Sequence, residues 1–119
     1  MHPTGTIYHV CRRLEWIAGA QRGAYPGSSQ DAADGFIHFS TGRQVRASAA
    51  KHRAGQTGLV LLTVAADALG EALRWEVASN GDRYPHLYGP LAVTAVLAVD
   101  DLPLDEAGHH VFPGLRDET

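Results

Sequence analysis

Seven consecutive residues, Leu59-Val60-Leu61-Leu62-Thr63-Val64-Ala65, hold one hydroxyl and no charge. The run is far too short to cross a bilayer as a helix, which takes about 20 apolar residues. Its β-branched members make it a strand, and its unbroken apolar character makes it a strand buried on both faces. A chain of 119 residues buries roughly two-thirds of the surface its unfolded form exposes, enough for one core in one domain. The remaining elements must therefore cover this strand.

They follow in a readable order. Thr6 to Val10 is short and β-prone and reads as a first strand. Arg12 to Ala20 places Leu14, Ile17 and Ala18 at helical spacing before Gly23. Gln21 to Asp34 is dense in Gly, Pro, Ser and Asp and reads as an exposed loop. Gly35 to Phe39 is a second strand, with Phe36 and His38 on one face and Ile37 and Phe39 on the other. Thr41-Gly42-Arg43-Gln44 fits a capping box, opening a helix through Val45, Ala49 and His52 that stops near Gly55. After the apolar strand, Ala66 to Leu69 is a brief turn. Leu73 to Val77, Arg83 to Tyr88 and Leu91 to Val99 read as further strands, and the tail from Asp100 as polar and loosely packed. With two helices, both in the first half, the order predicts an α+β fold rather than a doubly wound one.

Composition removes several function classes. Apolar residues at 45% and charged residues at 19% are those of an ordinary globular domain. A net charge of −3 supplies no basic field for duplex nucleic acid, although a few local arginines suffice for a small phosphorylated ligand. Cys11 is the only cysteine, which excludes an intramolecular disulfide and a cysteine-rich metal site and predicts a reducing, cytoplasmic setting. Met1 to Thr6 lacks the basic start and apolar run of a signal peptide, and no membrane partner is expected. P-loop, dinucleotide-fold, nucleophile-elbow and HExxH motifs are all missing.

The remaining candidates are polar residues in strands. His38 lies in an apolar strand just before the helix start at Ser40 and Thr41. Unpaired N–H groups there would suit an anion, and the imidazole could bind it or transfer a proton. The competing reading is a core histidine bonded to a backbone carbonyl. His9 could face the same cleft or be merely solvated. Glu76 beside Trp75 is either partly desolvated, with a raised pKa, or an outward carboxylate paired with Arg74 or Arg83. His86 and Tyr88 share one face of a segment stiffened by Pro85, Gly89 and Pro90, as in a binding loop or a structural turn. Among the helix cations, Arg43 and Arg46 are the ones expected near an anion, and His109-His110 reads as an inert tail feature.

Asp34 to Thr41 (DGFIHFST), Leu73 to Glu76 (LRWE) and Pro85 to Pro90 (PHLYGP) together resemble the signature of the bacterial domain of unknown function 952 family. The likeness covers residues 6–104, leaving 105–119 as a polar tail. It implies an ADP-ribosyltransferase-like split β-sheet. A more distant similarity, from Ile7-Tyr8-His9 through Trp16-Ile17 to Ile37-His38-Phe39, is to RNA 2′-phosphotransferases. It implies that His9 and His38 bind or process NAD, with Glu76 analogous by type to a late-strand glutamate. The similarity departs at Ser48-Ala49-Ala50-Lys51, where those enzymes carry a Gly-x-Arg-Ser-type segment.

Three functions follow as expectations. The first is an NAD or phosphorylated-nucleotide cleft with ADP-ribosyl transfer: His38, Glu76 and His9 act in catalysis, while Ser40, Thr41, Trp75, His86, Tyr88 and Gly89 line the ligand. The second is a binding module holding the same small-molecule nucleotide without turnover. The third is a metal site of His9, His38, His86 and Glu76, whose sparse ligand spacing makes a metal unexpected.

Overall fold

The structure, a computed structural model, describes residues 5–115. The apolar run forms the central strand of a three-stranded antiparallel sheet. Strand β1 (Thr6–Arg12) lies on one side of β4 (Leu59–Ala65), and β8 (Val96–Asp101) lies on the other. Leu59 to Val64 are all buried, and alternation sends them to two apolar clusters. Val60, Leu62 and Val64 join Ile7, Tyr25, Ile37 and Leu87 on one face. Leu59 and Leu61 join Tyr8, Val45 and Leu102 on the other. The single core expected from length is thus a pair of layers either side of one sheet.

A second antiparallel sheet has the order β3 (Ile37–His38), β6 (Arg83–Leu87), β5 (Leu73–Val77). One bridge joins the two sheets: Tyr8 N–H donates to the Ser40 carbonyl and Ser40 N–H to the Tyr8 carbonyl, both at 2.8 Å. This brings the His9 and His38 strands together. A short ladder, β2 (Ala24–Tyr25) with β7 (Leu91–Ala92), covers the rest of the first cluster.

Helix α1 (Arg13–Gln21) packs on β2 through Gly19, where a Cβ would sit 2.7 Å from Tyr25 Cα. Helix α2 (Ser29–Asp34) lies inside the segment expected to be loop, so the chain has three α-helices among the described residues rather than two. Its start is a full capping box: Asp31 N–H donates to Ser28 Oγ at 3.2 Å, and Ser28 N–H to Asp31 Oδ2 at 2.7 Å. Gly35 ends it in the left-handed conformation at φ 87°. Helix α3 (Val45–His52) begins later than Thr41, and only half the expected box forms: Thr41 N–H donates to Gln44 Oε1 at 3.0 Å.

Two other expectations change. Leu91 to Val99 is not one strand, because a 3-10 turn over Val93–Ala95 hands the chain from β7 to β8. The tail is not loose. Leu102 is 2% exposed and its N–H donates to the Leu59 carbonyl, and Phe112 packs on the second cluster. His110 Nε2 lies 2.8 Å from the Gln56 carbonyl, and only residues 116–119 of the predicted tail fall outside the description. No helix among the described residues is long and apolar enough to cross a membrane.

Candidate functional site

Pairing in the second sheet sets the site. His38 lies opposite His86, His86 opposite Arg74, and Glu76 opposite Tyr84. Because side chains alternate, Arg74, Glu76, His86, Tyr88, Phe36 and His38 share one face. Ile37, Leu87, Leu73 and Trp75 take the other and pack on the first cluster. Trp75 is therefore on the core side of β5, away from the face that carries Glu76.

His38 is held by α2. Its Nδ1 is 2.6 Å from Asp31 Oδ1, which also accepts the His38 backbone N–H at 3.1 Å. Its Nε2 makes an ion-pair contact with Asp34 Oδ2 at 3.0 Å, one helical turn before it in sequence. Asp31 is 3% exposed. Burial pushes its carboxyl up, but the bonds from the His38 ring and from the Ser28 and His38 N–H groups prevail and hold it at about 2.

Behind it sits His9, 4% exposed. Burial lowers its pKa, with Asp31 opposing, so the ring is neutral. One nitrogen is fixed by its partner: a carbonyl only accepts, so Nδ1 carries the proton and donates to the His38 carbonyl at 2.6 Å. Nε2 then accepts from the Tyr25 hydroxyl at 2.9 Å. Burial raises the Tyr25 pKa, which keeps that hydroxyl a donor. With both nitrogens engaged, His9 acts on the His38 backbone. His38 is not a core histidine bonded to a backbone carbonyl: its side chain is 41% exposed and both ring nitrogens face carboxylates.

The other carboxylate–histidine pair lies on β5 and β6. Glu76 Oε1 accepts from Tyr88 Oη at 2.7 Å and from His86 Nδ1 at 2.8 Å. These bonds, the tyrosine's foremost, lower the Glu76 pKa, which overturns the rise expected from a neighbouring tryptophan. Trp75 faces away, and Glu76 is open to water. Phe36 stacks on His86 with centroids 4.1 Å apart and planes at 25°. Arg74 lies over the Tyr88 ring, 5.0 Å from its centroid.

His38 and His86 line a cleft of about 860 Å³ between the second sheet, α2 and α3. His9 and Ser40 also reach its wall, whereas Thr41, Trp75, Glu76, Tyr88 and Gly89 do not. The anion seat expected at Ser40 and Thr41 is filled by the chain itself. Ser40 N–H is spent on Tyr8, Thr41 N–H on Gln44, and Val45 N–H on the Thr41 carbonyl. Cations come from elsewhere on α3 than expected. Arg46 turns toward Phe112, while Lys51, His52 and Arg53 line the cleft together with Arg12. Among the described residues no three His, Cys, Asp or Glu side chains are grouped to hold a metal ion. His9, with no free nitrogen, is lost to the four-ligand set considered from sequence.

In the sequence Lys51 and Arg53 read only as part of a solvated helix charge run and Tyr25 as a pin of the loop, and Asp31 and Asp34 are not read as partners of His38. The one signal for them was Ser28-Ser29-Gln30-Asp31, an S-x-x-D capping pattern hidden in a loop-like segment.

Fold and site thus define a small α+β protein with a histidine–carboxylate wall on a polar cleft. The family described as "Protein of unknown function (DUF952)" matches residues 10–99, and the chain belongs to it. The crystal structure of protein CC0527 from Caulobacter crescentus is similar, at 48% identity over 89% of this chain and 93% of that one, with a TM-score of 0.85. The solution NMR structure of CC0527 gives 49% identity, 87% and 90% coverage and a TM-score of 0.78. A search of curated proteins finds no match.

Proposed function

We propose that the cleft binds a phosphorylated nucleotide, with NAD-type ligands in the class, and that His38 faces the ligand. The observation that carries this reading is the charge lining the cleft. Arg12, Lys51 and Arg53 share it with His38, while Asp31 and Asp34 are already engaged by that histidine, which leaves Glu15 as the carboxylate not so engaged. A polyanion with polar hydroxyls fits such a lining better than an apolar ligand does.

ADP-ribosyl transfer in an ADP-ribosyltransferase-like fold is the second reading. The Tyr8–Ser40 bridge sets the two sheets side by side, as a split sheet requires, but His9 has both ring nitrogens engaged and is left without a part in processing NAD. Glu76 speaks against it, because its carboxylate serves His86 and Tyr88 outside the cleft wall.

Titration calorimetry with NAD⁺, ADP-ribose and AMP tests the reading, alongside an assay for released nicotinamide. All three ligands are expected to bind. The double variant Lys51→Ala/Arg53→Ala should bind about tenfold or more weakly, since charge-assisted bonds are worth roughly 1.5–3 kcal/mol each. Absence of heat with every ligand at millimolar concentration refutes the binding reading. Nicotinamide release that depends on His38 would favour transfer over binding alone.

A further inference from the structure

We propose that His38 and His86 form a general acid–base pair that hydrolyses the ester bond of a nucleotide phosphodiester. The proposal rests on the cleft holding a phosphorylated nucleotide. It adds a reaction, and it gives the Glu76–His86 pair a role that binding alone does not.

The two histidines are direct cross-strand partners on one face, with ring centroids 5.5 Å apart and planes at 68°, and both line the cleft. Each is oriented by a carboxylate through Nδ1: His38 by Asp31 at 2.6 Å, His86 by Glu76 at 2.8 Å. In both rings this directs Nε2 to the chemistry, but the two Nε2 atoms meet different surroundings. His86 Nδ1 donates to Glu76, which leaves Nε2 as the ring nitrogen free to accept, and the Phe36 stack fixes its plane. His38 Nε2 rests 3.0 Å from Asp34 Oδ2, a contact that attracts only when that nitrogen bears a proton. One ring thus presents a lone pair and its neighbour a proton. Asp34 is 38% exposed at the end of α2, so its contact with His38 lies at the open edge of the site.

That division of labour selects a reaction. Cleaving the bond to nicotinamide needs no acid, because the leaving group departs neutral. A phosphodiester with an alkoxide leaving group needs both partners. His86 Nε2 takes a proton from water as the water oxygen bonds to phosphorus. The bond from phosphorus to the ester oxygen breaks, its electron pair stays on that oxygen, and His38 Nε2 supplies the proton that makes it a hydroxyl. The products are a phosphate monoester and an alcohol, and the proton exchanged between the rings returns through solvent. Lys51 and Arg53 supply positive charge for the phosphoryl oxygens.

Two substrates separate the roles. Adenosine 2′,3′-cyclic phosphate leaves as an alkoxide and needs the acid, whereas bis(p-nitrophenyl) phosphate leaves as a stabilised phenolate and does not. The wild-type protein is expected to hydrolyse both. His86→Ala should lower both rates by about 10²–10⁴, the usual worth of a positioned base. His38→Ala should lower the cyclic nucleotide rate by a similar factor and the nitrophenyl rate by less than about tenfold. His38→Gln and His86→Gln, checked by urea midpoint, replace any alanine variant that fails to fold. If AMP binds by calorimetry but neither ester turns over, or if the histidine variants keep wild-type rates, the acid–base proposal falls and the binding reading stands. If NAD⁺, ADP-ribose and AMP all fail to bind and neither ester turns over, both fall.

Discussion

Replacing Asp31 by asparagine keeps the shape of the side chain and removes its charge. In the folded chain that carboxylate accepts from the His38 ring at 2.6 Å, from the His38 N–H at 3.1 Å and from the Ser28 N–H at 2.7 Å. An asparagine presents one oxygen and one amide, so a donor must face a donor on one side or the other. The electrostatic part follows from titration. A carboxyl ordinarily at 3.8 is held at about 2, which is worth about 2–3 kcal/mol above both values. Because the folded value is depressed, this contribution is complete above 3.8 and is lost as pH falls toward 2. Asp31→Asn is therefore expected to cost about 2–3 kcal/mol at pH 7 and about 1 kcal/mol less than that at pH 3. For a domain this size the melting temperature should drop by roughly 10 °C at neutral pH. Urea unfolding followed by tryptophan fluorescence at the two pH values measures both. A gap under about 0.5 kcal/mol at pH 7, or one that is no smaller at pH 3, would refute the assignment of Asp31 as the anchor of His38.

Tyr25→Phe removes the donor to His9 Nε2 and strands a buried acceptor, so a loss of about 1–3 kcal/mol in urea unfolding is expected. An unchanged midpoint would mean that the neutral His9 tautomer is assigned wrongly. Gly19→Ala should lower the melting temperature even though alanine favours helix by up to ~1 kcal/mol, because its Cβ meets Tyr25 Cα at 2.7 Å and overpacking costs about 1–3 kcal/mol. A stabilised variant contradicts the close packing of α1 on β2. Cys11 has no exposed surface and burial pushes its thiol up to about 12, so iodoacetamide at pH 8 should leave the native protein unlabelled and add one group per chain in urea. Mass spectrometry showing rapid native labelling would contradict that burial.

Much of the fold was legible because its signals are local. The apolar run of β4, the alternation of Phe36 and His38 against Ile37 and Phe39, and the strands at Leu73 to Val77 and Arg83 to Leu87 all depend on side chains a few residues apart. Helix α2 was not legible in the same way. Six residues give too little periodicity to outweigh the glycines and serines around them, and only the Ser28 to Asp31 spacing marks it. The break of Leu91 to Val99 into two strands has a different cause. Both halves are β-prone, and the 3-10 turn between them exists because β7 and β8 find partners in different sheets.

The site divides along the same line. The residue pattern alone puts His38 on one face with Phe36, opposite Ile37 and Phe39, puts His86 and Tyr88 on a shared face, and with one cysteine and a mild negative charge excludes whole classes of chemistry. Which groups meet those histidines follows from long-range packing. Asp31 approaches His38 because α2 folds back over β3, and Glu76 meets His86 because the register of β5 and β6 puts them on one face. From the residues, His9 reads as either facing the cleft or merely solvated, and the resemblance gives it a part in binding NAD. It became the buried support of the His38 backbone when one bridge between Tyr8 and Ser40 closed two sheets over it. A hydrogen bond spanning 29 residues has no trace in local pattern, since the chain pays its loop entropy only through the contacts of the whole fold.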